Sequence, residues 1–527
     1  MSALGGAVWL AVREYAGLAE AGGVKNVTRS QAEALTRLGE SVTVFLPRYG
    51  FMESPSTELF LATIEIDDDR YDVDFAYLSC NGVRVILVGS RVFSGKHQVY
   101  VYTEEEAARI PGARRGMGHF DVDVMNVLFQ KSVIEYAVRT GEKPAVVHCH
   151  DAHAALLPAF ARSDRRVSSL FADTAFFVTV HNAGPGYRQT LRDTEYAARL
   201  TGLDRETLEA GRIGTRIEPF LIAAHTATLM TVSPWYAEEL TSPLFDSHTE
   251  GLSGELRRRG IAVYGVTNGI DSDRYCPRSP EKSGLPFAFD PLSGDLAGKY
   301  RCREALLAAI SENRLPPDVV ESGSCDDSET AVWFCYQGRI AHQKGLSVLA
   351  AAVRTLLERE SQARFIVMGQ GDPDLENAFE ALSWAFPARF LLLRGYERSL
   401  ARLVVASSDF LVLPSEYEPC GLEDYIGQIY GTIPLARAVG GLNKIIPGKT
   451  GFLYGEDTVP NDAHDVSALL TEITRDYLRC GGRRFTDGKF LAIIREAAAF
   501  VAREADWDRI IREGYLALYE KKLQPRY

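Results

Sequence analysis

The sequence predicts an α/β protein of more than one domain, built on parallel sheets. Short apolar runs of strand length stop at glycine, proline or serine, and helix-length segments follow them. Glycine pairs stand at strand-to-helix turns in both halves, Gly22-Gly23 early and Gly440-Gly441 late. A chain of 527 residues that is 46% hydrophobic is also long enough for two or three globular domains.

In chain order, Ala7–Val12 is the first strand, and a loop from Arg13 to Gly23 leads a helix over about Val24–Leu38. Ser41–Leu46 is the next strand, so strand, glycine loop and helix open a Rossmann-like half. Asp67-Asp68-Asp69 is a solvated turn rather than a metal-binding Asp-x-Asp. Ala145–His150 is a buried strand running into a polar loop. His148 and His150 fall on one face of it, whereas Asp151 and His153 lie in the turn, which is poor metal geometry. Phe176–Asn182 is a strand with a polar tip, and Gly184 and Gly186 after it suit a crevice. Thr231–Leu240 reads as a strand and helix, and Tyr275–Asp295, rich in Pro, Ser and Gly, as a linker.

The second half begins with a helix over Leu296–Ile310 and a polar stretch to Ala331. Val332–Gly338 is a strand feeding a loop on which Arg339 and Lys344 stand five residues apart. A guanidinium and an ammonium so placed can converge on one diphosphate. Phe365–Pro373 is a strand and glycine turn, and Gly395-Tyr396 follows the next strand, with Tyr396 a candidate nucleotide contact. Phe410–Leu413 is a strand, and a loop with Glu416 and Glu418 follows it. Gly421 then opens a helix over Leu422–Tyr430, Thr432–Arg437 is the next strand, and Gly440-Gly441 opens another helix. Both loops sit at the C-terminal ends of neighbouring strands, where open α/β sheets bind ligands and where helix starts suit an anion. Asp506–Tyr519 is an amphipathic helix.

A net charge of −12 and a pI near 5.5 argue against a nucleic-acid backbone as main partner. Eight scattered cysteines with no C-x-x-C pair read as reduced thiols, not a disulfide framework or a zinc site. No apolar run reaches transmembrane length, and Met1–Gly6 lacks the basic start of a signal peptide, so the expectation is a cytoplasmic protein with no membrane partner.

Glu418-Pro419-Cys420-Gly421-Leu422, then Tyr430-Gly431-Thr432-Ile433-Pro434 and Gly440-Gly441-Leu442, resemble the signature of bacterial glycogen and plant starch synthases. The resemblance extends over about residues 7 to 520. It implies two facing Rossmann-like doubly wound domains of the GT-B glycosyltransferase type. Residues 1–265 would form the acceptor-side domain, 266–500 the nucleotide-sugar domain, and 501–527 a helix crossing back to the first. It implies retaining transfer of glucose from ADP-glucose to the nonreducing 4-OH of an α-1,4-glucan. No cofactor or metal is expected, because the nucleotide sugar is a substrate and protein cations stabilise the leaving group.

By the same resemblance, Arg339 and Lys344 bind the diphosphate, and Glu418 holds the sugar hydroxyls or the developing cation. His181, from a Thr-x-His-Asn match, and Asp151, from a His-x-His-Asp-x-His match, position the sugar. Gly22, Gly23, Asn268, Tyr396, Gly421, Leu422 and Gly441 fall at donor-binding positions. The chain also departs from the pattern. Glu20 stands where the family's Lys-x-Gly-Gly motif has its donor-holding lysine, and Glu423-Asp424 replaces the usual Thr-Gln. Val439 replaces a threonine, and Ala183–Tyr187 replaces a Leu-Ala-Tyr-Gln-Gly loop. A carboxylate near a diphosphate repels it unless it turns away or pairs with a cation. These departures leave two other readings open: a glycosyltransferase with another nucleotide sugar, or a glucan-binding or regulatory homologue whose donor site has decayed.

Overall fold

The computed structural model describes residues 4–53, 55–455, 460–485 and 487–523. Met1–Ala3, part of the segment read for a signal peptide, and the last four residues of the expected C-terminal segment lie outside them. Contacts divide the chain into two units, one of residues up to Asn268 with those from Trp507 on, the other Gly269–Asp506. The expected breaks were 265/266 and 500/501.

The first unit carries β1 (Ala7–Ala11), β2 (Val42–Pro47), β3 (Thr57–Ile66), β4 (Asp69–Cys80), β5 (Val83–Gly89), β6 (Pro144–His150) and β7 (Ala175–Val180). A two-residue pair, β8 (Arg212–Ile213) and β9 (Arg216–Ile217), precedes β10 (Thr228–Thr231) and β11 (Val263–Gly265). The main sheet has the order β11-β10-β7-β6-β1-β2-β5-β4-β3. All pairings are parallel except those of β4 with its two neighbours. β1, β2, β6 and β7 are buried almost throughout, which is why they read as continuous apolar runs. The β3–β4 hairpin alternates exposed and buried residues, the pattern of a sheet with one wet face. Its turn is the Asp67–Asp69 stretch, with Asp67 at φ 54°.

The second unit carries β12 (Val320–Cys325), β13 (Val332–Gln337), β14 (Ala363–Gly369), β15 (Arg389–Arg394), β16 (Phe410–Leu413), β17 (Ile433–Arg437) and β18 (Phe452–Tyr454). Their order is β12-β15-β14-β13-β16-β17-β18, parallel apart from β12. Without β12, and counted in chain order, this is the doubly wound order 3-2-1-4-5-6. The parallel strands of the first unit run 7-6-5-4-1-2-3, the same winding. Each sheet therefore has a topological switch point, between β1 and β6 in the first unit and between β13 and β16 in the second. Phe334 on β13 stacks on Phe410 of β16 with ring centroids 5.3 Å apart, which helps fix that central pairing.

Three sequence expectations need correction. Tyr275–Asp295 is not a linker, because Leu285 and Phe289 are core residues of the second unit and Tyr275 and Phe287 pack against them. The polar stretch before Ala331 contains β12, whose polar, glycine-bearing sequence hides an edge strand. Gly440-Gly441 opens a single 3₁₀ turn, Gly440–Lys444, rather than a full helix. At the C-terminus, Trp507–Ile510, a π turn over Ile511–Leu516 and the helix Ala517–Leu523 form one continuous element of the first unit.

Candidate functional site

In the second unit the loops after β13 and β16 flank the switch point. They meet because Gly345 has no side chain: it sits at φ +68°, and a Cβ there would lie 1.8 Å from the Pro414 carbonyl oxygen. The Glu416 amide donates to the Gln343 carbonyl at 2.9 Å and joins the two loops further. Across this junction Lys344 Nζ lies 2.5 Å from Glu418 Oε2, and Ser415 Oγ donates to the same oxygen at 3.0 Å. Burial pushes the Glu418 carboxyl up, but Lys344 and Ser415 hold it below the usual carboxylate range. Arg339 is exposed on the same loop, with Nη2 3.5 Å from Gln343 Oε1.

The loop after β17 is fastened beneath this pair. The Gly441 amide donates to the Glu418 carbonyl at 2.8 Å, and a Cβ on Gly441 would lie 2.0 Å from the Cys420 carbonyl oxygen. Lys444 Nζ donates to the carbonyls of Cys420, Gly421 and Gly441 at 2.7, 2.8 and 3.0 Å, and lies 2.9 Å from Asp424 Oδ1. Both Lys444 and Asp424 are buried. Gly421 is at φ +70°, and Leu422 beside it is half-buried. Tyr396, past the end of β15, is 56% exposed.

In the first unit the corresponding loops follow β1 and β6. Asp151 adopts φ 61° and ψ 178°, a region that belongs essentially to glycine and that costs of order 1–3 kcal/mol elsewhere. Its amide donates to the Thr179 carbonyl, and its carboxylate accepts from the His181 amide at 2.8 Å. Burial raises this carboxyl to about 7. His181 Nε2 lies 2.9 Å from His150 Nδ1, and the His150 and His148 rings stack at 4.7 Å. His148 is bonded at both nitrogens, to Tyr519 Oη at 2.5 Å and Thr179 Oγ1 at 2.6 Å. Burial pushes His148 and His181 down to about 3, so both are neutral imidazoles at neutral pH.

The glycine loop after β1 is bound by its own chain. Glu14 Oε2 accepts from the Gly22 amide at 2.6 Å and the Ala21 amide at 3.2 Å. Glu20 is engaged within the same loop and helix start: Oε1 accepts from the Gly17 amide at 2.8 Å, and Oε2 lies 3.2 Å from Lys25 Nζ. Arg13 is engaged elsewhere, with Tyr49, Asn126 and the Val99 carbonyl. Asn268 is buried, and its Oδ1 has no hydrogen-bond partner among the described residues. No group of three or more His, Cys, Asp or Glu among the described residues is arranged to hold a metal ion.

The family model described as the starch synthase catalytic domain matches residues 7–258, and that of group 1 glycosyl transferases matches 331–472. A glycogen synthase of Thermodesulfovibrio yellowstonii is 31% identical over 397 residues, 75% of this chain and 72% of that one. The chain belongs to the glycogen and starch synthase family. A glycogen synthase of Syntrophotalea carbinolica is 27% identical over 98% of this chain and 99% of its own. The catalytic domain of starch synthase IV from Arabidopsis thaliana, solved bound to ADP and acarbose, shares the fold with a TM-score of 0.78. It is 23% identical, with 98% and 99% of the two chains covered.

As a member of the synthase family the protein is a glycosyltransferase with two α/β units. Of the residues expected in its site, the structure joins Lys344 with Glu418, ties Glu418 to Gly441, and joins Asp151 with His181. Among the described residues neither Arg339 nor Tyr396 makes a hydrogen bond or ion pair with the Lys344–Glu418 pair. Gly22 is engaged by Glu14, and Gly23 has open space where a Cβ would stand. Two residues escaped the sequence reading. They are Glu14, which binds the glycine loop, and Lys444, which binds three carbonyls of the loops after β16 and β17. In each case the available signal was position, just past a strand end for Glu14 and two residues past a Gly-Gly-Leu turn for Lys444.

Proposed function

We propose that the protein is a glycogen synthase, transferring glucose from ADP-glucose to the nonreducing 4-OH of an α-1,4-glucan with retention of configuration. The observation that carries the reading is the Lys344–Glu418 pair at the switch point of the second sheet. Breaking the bond between C1 and the diphosphate oxygen leaves positive charge on the sugar and negative charge on the departing phosphates. An ammonium has three hydrogens, and Glu418 takes one of those on Lys344. The others, with the exposed guanidinium of Arg339, are available to the phosphates, where fixed cations lower the barrier. Glu418, kept ionised by Lys344, supplies an acceptor for sugar hydroxyls or charge for the developing cation.

In the first unit, His181 and Asp151 are assigned to sugar or acceptor hydroxyls. A neutral imidazole donates or accepts a hydrogen bond there and adds no charge. Gly22, Gly23, Asn268, Tyr396, Gly421, Leu422 and Gly441 are assigned to donor binding, and no cofactor or metal is required. Eight free cysteines support a reducing, cytoplasmic setting. Among the described residues no helix is long and apolar enough to cross a membrane.

The test is glucose incorporation into glycogen by purified protein, with ADP-glucose and UDP-glucose compared and Lys344→Ala as control. Incorporation from ADP-glucose that the substitution removes is the expected result. Preference for UDP-glucose would move the reading to another donor. Glycogen binding without incorporation from either would make the protein a glucan binder with a decayed donor site, the reading that Glu20 at the lysine position favours.

A further inference from the structure

Three carboxyls stand around two lysines in the loops after β13, β16 and β17. Lys344 pairs with Glu418 and Lys444 with Asp424, and among the described residues Glu423 has no ion pair of its own. Its Oε2 is shut off from solvent and has no hydrogen-bond partner among the described residues. A buried oxygen with no partner is costly as a carboxylate and far less so as a protonated acid. The resemblance described above puts an uncharged threonine at this position, whereas this chain has a third carboxyl there.

We propose that Glu423 is a proton-operated gate on the donor's phosphates: its carboxylate competes for Lys344 and repels the diphosphate, and its protonated form leaves Lys344 free to bind. This rests on the donor-site reading above. Burial drives the Glu423 carboxyl up to about 7, with Lys344 pulling it down and Glu418 and Asp424 pushing it up. Donor binding then weakens as pH rises through 7, because a diphosphate and an ionised Glu423 oppose each other.

The other titratable groups that sense or face Glu423 do not supply such a limb. Tyr275, Tyr336 and Tyr430 are all pushed above the ordinary tyrosine value by burial, and Cys335 is raised to about 12. Asp424 ionises near 6, on the acid side of the window, and Glu418 lower still.

The test measures ADP affinity by calorimetry from about pH 6.5 to about pH 8.5, for the native protein and for Glu423→Gln. The native protein should bind about tenfold more weakly at the alkaline end. The variant should stay within about threefold across the range, which corrects for titration of ADP itself. A measurement that needs no variant runs the native titration near pH 8 in buffers of different ionisation enthalpy. It should show about one proton taken up by the protein on binding. Profiles of native protein and variant that superimpose, or no proton uptake, would overturn the gate and leave the donor site standing. Failure of the native protein to bind ADP at either pH would overturn both.

Discussion

Lys344 and Glu418, 74 residues apart in the chain, close a 2.5 Å ion pair across the switch point of the second sheet. Neither group can be altered without changing the other. Lys344→Ala should lower kcat for glucose transfer by about 10²–10³, the usual effect of removing one fixed stabiliser of transition-state charge. It should also change the acid limb of stability. Burial raises Glu418, but Lys344 brings it below its ordinary value of about 4.3. The pair's stabilisation is therefore present above that value and lost as pH falls through the lower folded one. Denaturant midpoints across the acid range should show this loss in the native protein and not in Lys344→Ala. Equal acid limbs would contradict the pairing.

Lys444 supports more of the loop than Asp424 does. It donates to three carbonyls as well as facing the carboxylate. Lys444→Met strands those acceptors and leaves a buried carboxylate without its cation, a change that costs about 3–5 kcal/mol. Asp424→Asn removes the charge but leaves the lysine on its carbonyls, and should cost about 1–2 kcal/mol. Equilibrium unfolding of both variants checks the order. A larger loss from Asp424→Asn would show that the ion pair, not the carbonyls, fastens the turn.

Glu20 stands where the resemblance implies a donor-holding lysine, and its pairing with Lys25 is partly exposed. Stability should change by less than about 1 kcal/mol on Glu20→Lys, since such pairs contribute little. The resemblance assigns this position to the donor, so kcat/KM for the nucleotide sugar should rise severalfold on Glu20→Lys. A fall would mean that the Glu20–Lys25 pair is itself part of the donor loop's working shape.

The sheets were legible in the sequence because strands buried on both faces have to be apolar throughout, and glycines have to stand where loops cross closely. Gly345 and Gly441 each leave room for a carbonyl oxygen within about 2 Å of where a Cβ would be, and Gly441 belongs to one of the motifs that carried the resemblance. β12 was not legible, since an edge strand can turn polar and lose the apolar signal, and of the β3–β4 hairpin only its Asp67–Asp69 turn was read. Tyr275–Asp295 looked like a linker because its Pro, Ser and Gly residues mark turns, whereas its few aromatic and aliphatic residues are what bury it. Glu14 and Lys444 were missed for a different reason: each bonds mainly to backbone atoms, and the sequence does not show where those lie.

The histidines of the first unit predict a second pH effect, of opposite origin to the Glu418 limb. His148 and His181 are held near 3 by burial, and His150 and His153 well below their ordinary value. The unfolded chain protonates all four near 6.5, so it binds more protons than the folded chain below that pH. Their contribution to stability is thus complete above 6.5 and is lost as pH falls toward 3. Asp151 works the other way, because a carboxyl raised to about 7 takes up its proton in the folded state first. One histidine is best isolated by difference. His148→Gln keeps hydrogen-bonding capacity toward Tyr519 and Thr179 but cannot be protonated. Its stability should fall less steeply than that of the native protein, by up to about 1.4 kcal/mol per pH unit below 6.5. Parallel stability curves from pH about 7 to about 5 would mean that His148 is already charged in the folded protein. The short bond to Tyr519 would then be a bond to a cation.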